Sequence, residues 1–314
     1  MKNKKGMEFS WLFAVIVGAI ILFLAFYFIT TNVTTQEMKG ATEEVHSLEV
    51  LFNPFAYLGA MGAITSKPIV LPDETRLEFE CDTYELGSNT IILDSGVPKE
   101  VYDKYIFADD LESKEIHTIS KPLILPWRVA DLIYVFPKNQ HYCFIDAPIR
   151  LIEELENLNV SNLFFDELDC PEEGIRICFG GAGCDILVSS SRAYSQGYVR
   201  KQGSSPMYFA GDNFALMLGA IFSRDDDYYN CNVKRLAKRL DLEINVYKDK
   251  QAALLTRGCS SNVNLDSFKQ AVLRIKELRE NQGRIPITEQ LMSSLYSSAQ
   301  SVEFSNSNSQ CPLF

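Results

Sequence analysis

The sequence is poor in the residues that announce chemistry: three histidines (His46, His117, His141) and two tryptophans among 314 residues, and no C-x-x-C pair among its eight cysteines. Zinc sites of the usual kind draw on paired cysteines or nearby histidines, so neither metal ligation nor any other cofactor is expected. Basic residues are also scarce, 30 against 41 acidic. Beyond residue 33 the balance is 27 to 40, and no Lys/Arg stripe interleaved with aromatics relieves it. A surface this acidic repels phosphate backbones, which argues against nucleic-acid partners. The chain lacks internal repeats, and its 12 prolines and 17 glycines are too few for a low-complexity chain. With 46% hydrophobic residues it can bury a core, so the body is expected to fold.

One long apolar run is present. Trp11 to Ile29 is nineteen residues without a charge, broken only by Gly18. As a helix it would reach about 28 Å, close to the ~30 Å hydrocarbon thickness of a bilayer. A buried helix of a soluble domain would show a polar face, and this run has none. Phe26, Tyr27, Phe28 and Ile29 occupy the place where a cleaved secretory signal carries small residues. Residues 1–33 therefore read as a cytoplasmic tip and transmembrane anchor, with residues 11–29 in the lipid bilayer. Lys2, Lys4 and Lys5 precede the run and no positive charge follows it through Thr35, which puts the amino terminus in the cytoplasm and the remainder outside. The next most apolar stretch, Phe214 to Phe222, is nine residues and reads as a core helix.

Lys4-Lys5-Gly6, then Met7, Glu8 and the apolar run, resemble the class III signal of archaeal type IV pilin-like proteins. The likeness covers about thirty residues. It implies cleavage after Gly6, a mature chain beginning at Met7, and packing of the helix into a filament core. The body carries no such resemblance.

Outside the membrane, oxidised cysteine pairs are the default. Cys81, Cys143, Cys170, Cys178, Cys184, Cys231, Cys259 and Cys311 are all disulfide candidates, with connectivity left open. Cys178 and Cys184 flank Phe-Gly-Gly-Ala-Gly between two strand-like runs, which suggests a hairpin that sets them opposite each other. A bridge from Cys311 would pin the end of the chain.

The body reads as α/β, with mixed α+β as the alternative. Residues 34–70 form a stalk, 71–140 a β-rich half, 141–300 an α/β half and 301–314 a polar tail. Leu77, Phe79 and Cys81 alternate with charged neighbours over Arg76–Asp82, the period of a half-buried strand, and Thr90–Leu93 follows as its hairpin partner. Tyr142–Ile145, a helix opened by Asp146 and Pro148 with an Ile149/Ile152/Leu155/Leu158 stripe, and Leu163–Phe165 make a strand–helix–strand unit. Further on come a hairpin over 175–188, helices near 213–222 and 231–240, a strand pair at 243–247 and 252–256, a helix capped by Asn264 and running to Gly283, and a last helix opened by Pro286. From Ser297 the composition suggests a surface tail.

Chemistry-bearing motifs are thin. Gly180-Gly181-Ala182-Gly183 lacks the Gly-Lys-Ser/Thr of a phosphate loop and reads as a turn. Asp225-Asp226-Asp227 lacks the alternating ligands of a calcium loop and reads as a helix cap. Gly203-Ser204-Ser205-Pro206 is no nucleophile elbow. Asn32 and Asn159 open glycan sequons. The expectation is a non-enzymatic, membrane-anchored component of the cell envelope that contacts other envelope proteins or itself. A ligand-binding receptor module is the alternative. A tethered hydrolase comes second and would need clustered carboxylates, or His117 and His141 meeting in a cleft.

Overall fold

The computed structural model describes residues 15–24, 26–27, 64–94, 96, 98–181, 183–191, 194–279 and 285–314. Gly6, Met7, Asn32 and most of the expected stalk lie outside these residues. Residues 15–24 (α1) are helical, and every one but Gly18 is exposed. Among the described residues no helix is long and apolar enough to cross a membrane, and the described helix covers only part of the nineteen-residue run.

The β-rich half is one six-stranded sheet: β1 (Thr65–Asp82), β2 (Ser88–Leu93), β3 (Pro98–Tyr102), β4 (Tyr105–Ala108), β5 (Leu111–Ile124) and β6 (Arg128–Pro137), in the order β3-β2-β1-β5-β6-β4. All neighbours are antiparallel except β4 on β6. β3 and β4 stand at opposite ends of this order, yet only Asp103 and Lys104 separate them. A two-residue link spans at most about 11 Å, so the sheet must curl until its ends meet. The curl encloses a core of its own, with Phe79, Ile91, Val101, Ile106, Ile116 and Val135 all buried. The alternation over Arg76–Asp82 is borne out, with Leu77 and Phe79 inside, and so is the β1–β2 hairpin. β1 begins at Thr65, inside the span read as stalk.

The second sheet, β12-β11-β10-β9-β7-β8, contains β7 (Tyr142–Ile145), β8 (Leu163–Phe164), β9 (Ile175–Phe179), β10 (Ile186–Ser191), β11 (Gln196–Lys201) and β12 (Met207–Ala210). β7, α2 (Ile149–Glu156) and β8 form the expected parallel unit. Its buried stripe is Leu151 and Leu155, whereas Ile149 is exposed. Pro148 is the cap residue, and Asp146 takes a left-handed turn instead of capping.

Helix α3 (Ala215–Phe222) is wedged between the curled sheet and β11–β12, and all eight of its residues are buried. Phe222 stacks on Phe136 at 4.7 Å, and the Tyr134 hydroxyl donates to the Ala215 carbonyl at 2.8 Å. A single hydrophobic core therefore joins the two halves, from Phe107 and Tyr134 through Phe144 and Val199 to Val302.

Several expectations are corrected. The strand pair at 243–256 does not exist: α4 (Asp226–Thr256) is one helix of 31 residues. Its apolar positions follow helical spacing, because Leu236, Leu240 and Ile244 are buried in steps of four. Glu243 and Tyr247 turn together toward Trp127, Glu243 accepting its indole N–H at 2.7 Å. The 175–188 hairpin is also wrong, since β9 and β10 run parallel, Ile177 beside Ile186. Parallel neighbours normally need a crossover of about a dozen residues or more. Here six suffice because Gly180, Gly181 and Gly183, at φ of 87°, 102° and 90°, fold the chain back on itself.

α5 (Asp266–Lys276) stops short of Gly283, with Asn264 accepting the Asp266 N–H. α6 (Glu289–Ser307) starts at a Thr288 cap, two residues past Pro286. The region read as a polar tail is instead helical through Ser307, with Val302 and Leu313 fully buried. Its serines return hydroxyl bonds to helix carbonyls, as Ser298 does to Ser294 at 2.8 Å, which lets a polar stretch remain helical.

Candidate functional site

All eight cysteines are paired, as Cys81–Cys231, Cys143–Cys170, Cys178–Cys184 and Cys259–Cys311. The Cys178–Cys184 bridge forms as expected, but across the glycine fold-back instead of a hairpin. Cys81–Cys231 staples β1 to α4, and Cys259–Cys311 fastens the last residues. Asn159 stands exposed in the turn after α2 at φ 54°, with Ser161 exposed beside it. The imidazoles pack on different rings, His117 on Phe136 and His141 on Phe164. Asp225 caps α4 by accepting the Tyr228 N–H at 2.8 Å, as its position before a helix predicts.

Three polar clusters organise the body. The first is a latch across the closing seam of the curled sheet. Asn89 on β2 accepts the Ile106 N–H of β4 at 3.2 Å, while Tyr228 and Asn232 of α4 both donate to the Ile106 carbonyl. Arg235, 1% exposed, donates to Asn89, Asn232 and the Gly87 carbonyl and lies over the Tyr105 ring at 5.0 Å. Burial pulls its guanidinium below the usual range. Gly87, at φ 74°, leaves room for Arg235 that a Cβ would take. The two terminal nitrogens of Arg235 are engaged while its buried Nε has no partner, and the task of the group is closure of the sheet.

The second cluster lies where β4 meets β11 and the α3–α4 link. Arg224 grips both Asp110 oxygens at 3.0 Å and Asp225 at 3.0 Å. Lys201 exposes part of its stem, but its ammonium is drawn inside to the Ser223 carbonyl, and burial lowers its pKa to about 8 against the pull of Asp109 and Asp225. Burial raises the Asp109 carboxyl, an effect that Lys201 opposes. Tyr142 is raised well beyond an ordinary phenol by burial. Arg224 and Lys201 are thus committed to joining the two halves.

The third cluster is open. The β5–β6 turn, α2, the β12–α3 loop and α6 enclose a cleft of about 190 Å³. Leu125 and Ala299 supply apolar wall, and Arg150, Asp212 and Glu303 supply charge. The Tyr296 hydroxyl donates to Asp212 and accepts from Gln300 at 2.6 Å, and burial with the Asp212 bond raises its pKa. Phe214, buried beneath Arg150, holds a left-handed conformation at φ 60°. Left-handed backbone at a non-glycine residue costs of order 1–3 kcal/mol and is held only by surrounding packing. Among the described residues no serine, cysteine, lysine or histidine lines the cleft.

Sequence reasoning missed this cleft because its charges come from segments 60 to 150 residues apart, none of which carries a local motif. Among the described residues no group of three or more His, Cys, Asp or Glu is placed to hold a metal. Comparison with protein-family models, curated proteins and solved structures returns no match, so the functional reading rests on this chain's own residues.

Proposed function

We propose that the protein is a single-pass membrane-anchored component of the cell envelope, its disulfide-braced body outside the cytoplasm, acting by contact with other envelope proteins or with copies of itself and without catalysis. The observation that carries this reading is the conjunction of an uncharged nineteen-residue run, headed by three lysines, with a body whose eight cysteines are all paired. Structural disulfides persist in oxidising compartments, and the lysines orient the anchor so that the body reaches one. Exposure of Ile20, Ile21, Leu22 and Phe23 together also supports it, because consecutive residues cover all sides of a helix and water is a poor solvent for all of them. Against hydrolysis, the hydroxyl of the cleft that does have an adjacent carboxylate, Tyr296 on Asp212, has its pKa raised and is not activated as a nucleophile.

The test is protease treatment of intact cells, with the intact mass and amino-terminal peptide of the protein recovered from its native membrane, with and without reductant. A body digested from outside, and a mass that rises by two hydrogens per bridge on reduction, are expected. A body protected in intact cells overturns the reading. A chain starting at Met7 selects filament assembly of the pilin-like kind, and a retained amino terminus selects a plain anchor.

A further inference from the structure

Charges of opposite sign that share a small space usually neutralise each other. In the cleft they do not. Arg150 makes no hydrogen bond or ion pair with the described residues and only overlies Phe214, and the Glu303 carboxylate is equally unengaged. Asp212 is fixed in place by Tyr296. Arg150 of α2 thus supplies the cation of the cleft, Asp212 and Glu303, which both act on the Tyr296 phenol, supply its anions, and Ile124, Leu125 and Ala299 offer apolar surface. At about 190 Å³ the space lies below the ~300–1,000 Å³ of drug-sized sites, which limits the ligand to a handful of heavy atoms. A lone anion would meet two carboxylates and a metal cation would meet a guanidinium. A molecule with both charges a few bonds apart satisfies all three groups.

We propose that this cleft binds a small aliphatic α-amino acid as its zwitterion, with the carboxylate on Arg150, the ammonium between Asp212 and Glu303, and the side chain against Leu125 and Ala299. The inference goes beyond the envelope reading and does not depend on where the body lies. The Gly211–Asn213 segment that presents Asp212 is held before any ligand arrives, since the Gly211 N–H donates to the Ser195 carbonyl at 2.9 Å and the Asn213 amide to the Pro122 carbonyl at 2.5 Å.

Isothermal titration of the purified full chain tests it, using L-leucine and L-valine beside isovalerate and isoamylamine, which keep the aliphatic tail but carry one charge each. Saturable binding of at least one amino acid is expected, with both single-charge analogues at least tenfold weaker. Arg150→Ala and Glu303→Gln should each weaken binding tenfold or more, and Lys138→Ala, on a distant surface ion pair, should not. No saturable heat with either amino acid up to about 10 mM, equal binding of an analogue, or unchanged affinity in both cleft variants overturns the proposal. Retention of four disulfides and an unchanged circular-dichroism spectrum show that a cleft variant has folded.

Discussion

Arg235 and Arg150 each lie beside an aromatic ring, 5.0 Å from Tyr105 and 5.8 Å from Phe214, and they use their charge in opposite ways. Arg235 is enclosed by the seam of the curled sheet, where Asn89, Asn232 and the Gly87 carbonyl accept from its terminal nitrogens. Arg150 faces a cleft with its donors unengaged. A buried charge is tolerable only where neighbouring groups replace water, so the first arginine is bound to the fold. An exposed charge has no such obligation and is available to a ligand. In this molecule, the fate of the guanidinium donors separates what holds the body together from what it can offer a partner.

The sharpest way to break that comparison is Arg235→Met. It keeps much of the stem but removes the donor to Asn232 and to the part-buried Gly87 carbonyl and one of the two donors to Asn89, and it should cost about 3–5 kcal/mol in chemical denaturation. A loss below about 1 kcal/mol would mean that the latch is incidental. Next come the bridges. Cys81–Cys231 closes a separation of 150 residues and Cys178–Cys184 one of 6, so by loop-closure entropy paired serine substitutions at the first should destabilise by about 3 kcal/mol more. Equal losses would assign the stabilisation to local packing instead.

The junction gives a smaller effect, visible through pH. Lys201 titrates near 8 when folded and near 10.5 when unfolded. Between those values the unfolded chain binds more protons, so this residue makes stability rise with pH by about 2–3 kcal/mol. From about pH 10 the buried tyrosines Tyr142, Tyr228 and Tyr229, whose pKa values are raised by burial, reverse the slope. Lys201→Met should flatten the rise between pH 8 and 10 in denaturation midpoints. The smallest effect is expected at the other arginine: Arg150→Ala should change stability by less than about 0.5 kcal/mol, since it removes an exposed, unpaired charge. A loss comparable to that of Arg235→Met would erase the distinction between the two sites.

What could be read in advance follows how local each signal is. The strand over Arg76–Asp82 was legible because alternation is a property of consecutive residues, and the β7–α2–β8 unit because its strand, proline and helix signals are contiguous. The helix at 243–256 reads locally as a strand because Leu242, Ile244 and Val246 alternate with Glu243 and Asn245, and so short a segment suits either period. Its outcome turned on Trp127, more than a hundred residues away, which Glu243 and Tyr247 can reach together only from a helix. The β9–β10 link was misread because a glycine-rich segment between two apolar runs has the same local pattern whether the strands return antiparallel or fold back in parallel. The serine-rich end looked solvated, yet Asn306 donates to the Phe314 carbonyl and accepts the Leu313 N–H, docking a segment whose composition gives no sign of burial. The cleft left no trace in the sequence at all, since Arg150, Asp212 and Glu303 are single charged residues in three unremarkable contexts.

By itself the sequence determined the long uncharged run near the amino terminus, an acidic body able to bury a core, an even set of cysteines and the strands whose side chains alternate. These are properties of composition and of neighbours along the chain, fixed before any folding. Tertiary structure alone decided which cysteines meet, that the first sheet closes on itself, that β9 and β10 run parallel, and that one arginine is enclosed and bonded to the seam while the other faces open space. Each of those outcomes depends on distances between residues far apart in the chain, and such distances exist only once the core has formed.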